Sequence, residues 1–263
     1  MVARELFTLL ALSALSLAAP MQSERRWRGW SGSNDGRGWW QPGHDSSYID
    51  FAKRFSFDTC KCDLSKASMP QSPVALPSPA AGLSLYQVSV GRGTQNYTCA
   101  TSDSSSAPAA VGAVAVLYNV TCLAATMPDL LAKLPNIALN LPTPTSTDPS
   151  SPVNMDIAGH HYFIDTKTPF FNFDTDRHNW GTGPFSKVSQ VDPPSDALAG
   201  QQGKGDGAVK WLQLDTIDSS GMLQQVYRVN TAGGNPPKTC QGMPSAFEVQ
   251  YAAEYWTYAG VRS

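Results

Sequence analysis

Residues 247–258, "FEVQYAAEYWTY", alternate along their length. Phe247, Val249, Tyr251, Ala253 and Tyr255 share one parity, and Glu248, Gln250, Glu254 and Trp256 share the other. Successive side chains of a strand point to opposite faces, so this spacing predicts a half-buried β-strand. Upstream, "VGAVAVLYNVTC" (111–122) is apolar at both parities, which predicts a strand covered on both sides. "AVKWLQL" and "GMLQQVYRV" flank the turn-forming stretch "DTIDSSG" (215–221) and read as a hairpin. The loop "NTAGGNPP" (230–237) follows, with Gly233 and Gly234 suited to positive φ and Pro236 and Pro237 to an extended exit.

Helix is a minor element. Only "TMPDLLAKL" (126–134) has helical character, with Thr126 as N-cap, Pro128 in the first turn and Asp129 near the positive helix end. Short strands separated by Pro and Gly, with one short helix, predict an all-β fold: a single antiparallel β-sandwich or jelly roll over residues 74–260. Parallel strands would need crossover helices that the sequence does not supply. Residues 142–152, "PTPTSTDPSSP", read as an extended insertion within that domain, and 55–73 as a linker.

The first eighteen residues have another character. Arg4 precedes an apolar run from Leu6 to Leu17, and Ser16 and Ala18 are small residues placed for cleavage after Ala18. This predicts a secretory signal peptide and an extracellular protein, because the run is shorter than the ~20 residues that span a bilayer. No later segment reads as transmembrane. Residues 19–54 hold four of the seven tryptophans but almost no aliphatic residue, a composition that predicts disorder. The dibasic pairs Arg25-Arg26 and Lys53-Arg54 suit processing proteases, so 19–54 is expected to be a pro-segment cut at Arg26 and Arg54. Without residues 1–54 the chain keeps 12 Lys and Arg (19 minus 1 minus 6) against 16 Asp and Glu (21 minus 1 minus 4). A net charge of minus four leaves no basic footprint for nucleic acid.

Export gives meaning to two sequons, Asn96-Tyr97-Thr98 and Asn119-Val120-Thr121, as N-glycosylation acceptors. It also favours disulfides among Cys60, Cys62, Cys99, Cys122 and Cys240. The odd count limits intramolecular bridges to two, and "CKC" at 60–62 lacks the close-spaced partners of a zinc site.

Chemistry concentrates in "AGHHYFIDTKTPFFNFDTDRH" (158–178). Adjacent His160 and His161 point to opposite faces of a strand, so one ion cannot take both without a bulge. One of them with His178 and Asp174 or Asp176 would make a mixed site for zinc or iron. No G-x-S-x-G elbow is present, and no spacing singles out a carboxylate pair. Tyr227, Arg228 and Trp256 form a second candidate, an aromatic and cationic surface for a sugar or polymer.

The ordered motifs "VGRGTQNYTC", "GAVAVLYNVTC", "GHHYF", "VKWLQL", "VYRVNTAGGNPPKTCQG" and "VQYAAEYWTYAG" resemble those of the secreted family called domain of unknown function 3455, over residues 75–258. Its members are small exported proteins of fungi and bacteria without an established activity. The resemblance implies a Cys99–Cys240 bridge, with Cys122 pairing to Cys60 or Cys62. Some similar proteins carry the label malate dehydrogenase, which the residues do not support. "GRGTQN" has Asn96 where a third glycine belongs and runs into "YTC", and "GKGDG" (203–207) lacks a phosphate-loop ending. The expectation is an exported binding module without cofactor, directed at cell-wall polysaccharide, a surface glycan or a host interface. The rival is a metal-dependent enzyme or metal-binding protein.

Overall fold

The computed structural model describes residues 62–141, 157–200 and 206–260. The signal peptide, the 19–54 segment with both dibasic pairs, Cys60 and the 142–152 insertion lie outside the described residues. Eight strands are present: β1 (Leu83–Thr98), β2 (Ala109–Asn119), β3 (Ile157–Phe163), β4 (Pro169–Asp174), β5 (Asn179–Val191), β6 (Trp211–Thr216), β7 (Leu223–Gly233) and β8 (Ala246–Gly260). Each pairs antiparallel with the next, and β8 pairs with β1, which closes a barrel.

The expected sandwich or jelly roll is therefore incorrect, although the all-β class and the single domain stand. Closure rests on one long-range ladder in which Leu83 pairs with Gly260 at one end and Thr98 with Ala246 at the other. A sandwich would leave sheet edges there, whereas the ladder satisfies the backbone groups of both terminal strands. The expected hairpin is β6–β7, registered Leu212 to Arg228 and Asp215 to Gln225.

The interior is packed by Ala113, Leu117, Phe171, Phe173, Phe185, Leu214, Val226, Tyr251, Ala253 and Tyr255. A second apolar layer lies on the outer wall, where Val88, Val90, Tyr227, Val229 and Trp256 meet Leu123, Ala124 and Leu131 of the helical connection. That connection comprises α1 (Thr121–Thr126), α2 (Pro128–Leu131) and α3 (Leu134–Asn140). The single helix expected at 126–134 is thus broken. Thr126 ends α1, and Met127, with no side-chain cap, precedes α2, where Pro128 takes the first position.

The outer layer reverses two expectations. β8, read as half-buried, is buried on both faces from Tyr251 to Thr257, because helices and the N-terminal stretch 62–82 cover its outer side. β2, read as covered twice, alternates, with Ala113, Ala115 and Leu117 inside and Val114 51% exposed.

Two disulfides fasten the structure. Cys99–Cys240 joins the end of β1 to the β7–β8 connection, and Cys62–Cys122 ties the N-terminal stretch to α1. The alternative partner left open by sequence resolves to Cys62. No helix among the described residues is long and apolar enough to cross a membrane.

Candidate functional site

Parity along the closing strands decides which side chains enter the barrel. Val88 and Val90 face the outer layer, so Gln87 and Ser89 face inward. Trp256 faces outward, so Tyr255 and Thr257 face inward; Tyr227 and Val229 face outward, so Arg228 faces inward. The register aligns them. Gln87 pairs with Thr257, and the next inward row runs Ser89, Tyr255, Arg228, Leu212 across four strands.

This patch of inner wall carries an unusual load of unanswered polar atoms. Gln87 Nε2 and Oε1, Ser89 Oγ, Thr257 Oγ1 and Arg228 Nε are all buried without a hydrogen-bond partner. Nearly all buried polar groups in native proteins are paired, and each unpaired one costs about 1–3 kcal/mol. Five of the nine such atoms among the described residues lie on this patch.

Arg228 is the centre of the patch. Its Nη2 donates to the Lys210 carbonyl at 3.0 Å, and the guanidinium also bonds the Tyr255 hydroxyl. No carboxylate pairs with it among the described residues, where Lys210–Asp192 is an exposed bridge on the surface. The one buried carboxyl among the described residues, Glu254, lies on the outer face. The described interior therefore holds a cation without a counter-ion.

The groups around Arg228 are neutral. Tyr251 and Tyr255 share a hydrogen bond of 2.8 Å between hydroxyls, and burial pushes Tyr251 well above the ordinary phenol value and raises Tyr255 as well. Tyr97, held to about 12 by burial, donates to the Gly234 carbonyl at 2.8 Å. His161 stacks on Phe171 with ring centroids 4.3 Å apart, and its Nδ1 lies 3.1 Å from the Phe170 carbonyl, so that nitrogen carries the proton. Burial, with a smaller contribution from the Arg228 charge, depresses it to about 4.

The residues singled out by sequence do not converge. His161 is inside the barrel and His160 exposed outside, as their adjacency requires. His178 stacks on Trp180, with its two ring nitrogens each 3.1 Å from a carbonyl oxygen, of Phe173 and Ile157, so neither is presented to an ion. Asp174 accepts from the Gly181 amide at 2.7 Å, and Asp176 is exposed. Among the described residues no three His, Cys, Asp or Glu side chains gather as a metal-ligand set. Tyr227, Arg228 and Trp256 do not form one surface either. Tyr227 and Trp256 are buried in the outer layer, with the Tyr227 hydroxyl donating to the Pro77 carbonyl at 3.0 Å. Of the two sequon residues, Asn96 is half-buried in β1, and Asn119 ends β2, its side chain accepting from the Thr121 amide.

Gln87, Ser89 and Thr257 escaped sequence reading because single polar residues in apolar strands look like tolerated exceptions. The available signal was parity, since Ser89 falls between Val88 and Val90 on the face opposite to theirs. On the outer wall the same reasoning missed Glu254. Its carboxyl is fully buried and accepts from Asn230 Nδ2 at 2.7 Å and Trp256 Nε1 at 2.8 Å, with burial raising it to about 7. Asn230 also donates to the Ala132 carbonyl, from a backbone with φ of 45°.

No curated protein and no solved structure matches the chain. A family model matches residues 79–259, from just before β1 almost to the end of β8. The chain belongs to that family, described as a protein of unknown function, DUF3455.

Proposed function

We propose that the protein is an exported, non-catalytic binding protein that holds a small molecule inside its barrel. One observation carries this reading: the five buried, unpartnered polar atoms of Gln87, Ser89, Thr257 and Arg228 on a single patch of inner wall. An eight-stranded barrel is wide enough either for side chains to fill it or for one small ligand. Side chains that fill an interior are apolar or mutually bonded, whereas these five atoms have no partner. The two disulfides and the predicted signal peptide support an oxidising, extracellular setting.

This narrows the broader expectation of a polysaccharide or surface partner, since a polymer chain does not enter a closed interior. The test is native mass spectrometry of the full chain recovered from the secreting host, paired with extraction after denaturation. The expected result is a stoichiometric non-covalent adduct that leaves on unfolding. A high-resolution crystal structure of the recovered protein with all five atoms bridged only by ordered water would defeat the reading.

A further inference from the structure

We infer that the outer wall of β6 and β7 is a groove for an extended proline-rich peptide of a partner protein, and that the chain's own residues 70–80 fill it as a displaceable strap. The inference concerns the outside of the barrel and is independent of any occupant of the interior.

The segment already seated there shows what fits. Pro70, Pro73, Pro77 and Pro79 supply four of the eleven residues of 70–80, and residues 75–80 belong to no helix or strand. Proline presets its backbone and lacks an N–H, so such a stretch lies on a surface through its rings and carbonyls instead of joining a sheet. Three hydrogen bonds seat it. Ser72 Oγ donates to the Asp192 carbonyl at 2.8 Å, the Tyr227 hydroxyl to the Pro77 carbonyl at 3.0 Å, and the Ala80 amide to Gln225 Oε1 at 2.9 Å.

The strap is lightly held. Pro73, Val74, Ala75, Pro77 and Ser78 are exposed, Val74 at 67%. Leu76 is its partly buried apolar contact with the wall, and the Cys62–Cys122 bridge pins the chain ahead of it. An incoming peptide needs no separate cavity, because it takes the volume that the strap vacates.

The wall beneath asks for more than the strap gives. Trp211 and Gln213 of β6 face outward, opposite to Leu212 and Leu214. Trp211 pairs with Val191, beside the Asp192 that anchors Ser72, and Gln213 pairs with Tyr227, which anchors Pro77. Both therefore lie along the path of the strap. Trp211 is 3% and Gln213 5% exposed, yet Trp211 Nε1 and Gln213 Oε1 have no hydrogen-bond partner. An indole N–H only donates, so it calls for a carbonyl, and a proline-rich backbone presents one at every residue. Gln213 Oε1 calls for an N–H, which places a residue other than proline opposite it. Aromatic-lined grooves with such polar tips select proline-rich segments, because a preformed backbone loses little entropy on docking.

The probes are decaproline and a glycine–serine peptide of equal length, read by fluorescence anisotropy on the full disulfide-bonded chain and on two loosened variants. One variant combines Cys62→Ala with Cys122→Ala; the other keeps the bridge and combines Ser72→Ala with Ala80→Pro, which removes two of the seating donors. Decaproline is expected to bind the loosened chains about tenfold more tightly than the wild type, since a tethered competitor lowers the fraction of open groove. The glycine–serine peptide should bind none of them. Trp211→Phe, placed in a loosened chain, should weaken decaproline about threefold to tenfold, the scale of one hydrogen bond that the strap itself does not make. Should that variant fail to fold, limited proteolysis of the wild type supplies a second readout, in which decaproline should hasten cleavage within 62–82.

Silence of decaproline on both loosened chains would overturn the groove, including where the chains form dimers with exchanged straps instead. Equal binding of the two peptides, undiminished binding by Trp211→Phe, or cleavage of 62–82 indifferent to decaproline would overturn it as well. Equal affinity of wild-type and loosened chains would overturn the role of 70–80 as the competing occupant.

Discussion

Two buried titratable side chains on opposite sides of the barrel wall pull stability in opposite directions. Glu254 rises from 4.5 to about 7 through burial, so the folded chain holds its proton where the unfolded chain releases it. Its contribution is complete below pH 4.5 and is lost as pH climbs through 7. His161 falls from 6.5 to about 4, also through burial, so the unfolded chain takes a proton the folded chain refuses. That contribution is complete above pH 6.5 and is lost as pH descends towards 4. The displacements are opposite in direction and similar in size, so between pH 5 and 6.5 they largely offset each other and the wild type should show a shallow profile. Single variants unmask them. Glu254→Gln should leave stability rising with pH across this window, with a slope of about 1.4 kcal/mol per pH unit, and His161→Phe should leave it falling by a similar amount. Chemical denaturation at a series of pH values checks both, and parallel profiles for the two variants would refute the pairing. Glu254→Gln should also lose about 1 kcal/mol at every pH, because a Gln amide can accept from Asn230 or Trp256 but not from both.

At the scale of the element, strand identity was legible and strand burial was not. The alternation of 247–258 located β8, and the apolar run 111–122 located β2. Which of them was covered twice depended on where 62–82 and α1–α3 came to lie, information that no local period contains. The same limit explains Thr126. Its hydroxyl donates back to the Cys122 carbonyl at 2.7 Å and closes α1, so a residue that reads as a start signal ends a helix. Close strand approach was also invisible. A Cβ on Gly93 would sit 1.8 Å from the Val114 carbonyl oxygen, and one on Gly159 would sit 2.1 Å from that of Asn172. Both obstacles are backbone, so neither strand pair can yield without separating. Gly93→Ala and Gly159→Ala should each cost about 2–3 kcal/mol or more and lower the thermal midpoint by roughly 5–10 °C. Gly82→Ala is the control. A Cβ there meets nothing within 4 Å, so only the left-handed φ of 83° opposes it, at about 1 kcal/mol. Equal melting of all three variants would show that close approach is not what fixes these glycines.

At the scale of the whole molecule, the decisive fact is the pairing of β1 with β8 across most of the described chain. Local pattern reports strands and turns, while closure is a property of the first and last strand together, which is why a sandwich and a barrel read alike until that ladder is seen. The candidate site inherits the same limit, since Gln87, Ser89, Thr257 and Arg228 become neighbours only on closure. The disulfides divide along this line. Their loops span 141 and 60 residues, for which the chain-entropy model assigns about 5 and about 4 kcal/mol, a small difference. What each holds in the folded state differs far more. Cys99–Cys240 sits where β1 meets the connection into β8, so the barrel cannot shed it without loosening its closing ladder. Cys62–Cys122 holds a stretch whose other anchors are single bonds, Ser72 to the Asp192 carbonyl, Pro77 to Tyr227 and Ala80 to Gln225, together with apolar contacts from Met69 and Leu76. Replacing Cys62 and Cys122 by Ala should therefore expose 62–82 to limited proteolysis while the barrel core keeps most of its urea midpoint. Replacing Cys99 and Cys240 by Ala should lower the global midpoint by an amount equivalent to about 2–5 kcal/mol, with cleavage appearing only as the whole domain unfolds. Early cleavage of 62–82 in both variants, or in neither, would show that the two bridges guard a single cooperative unit.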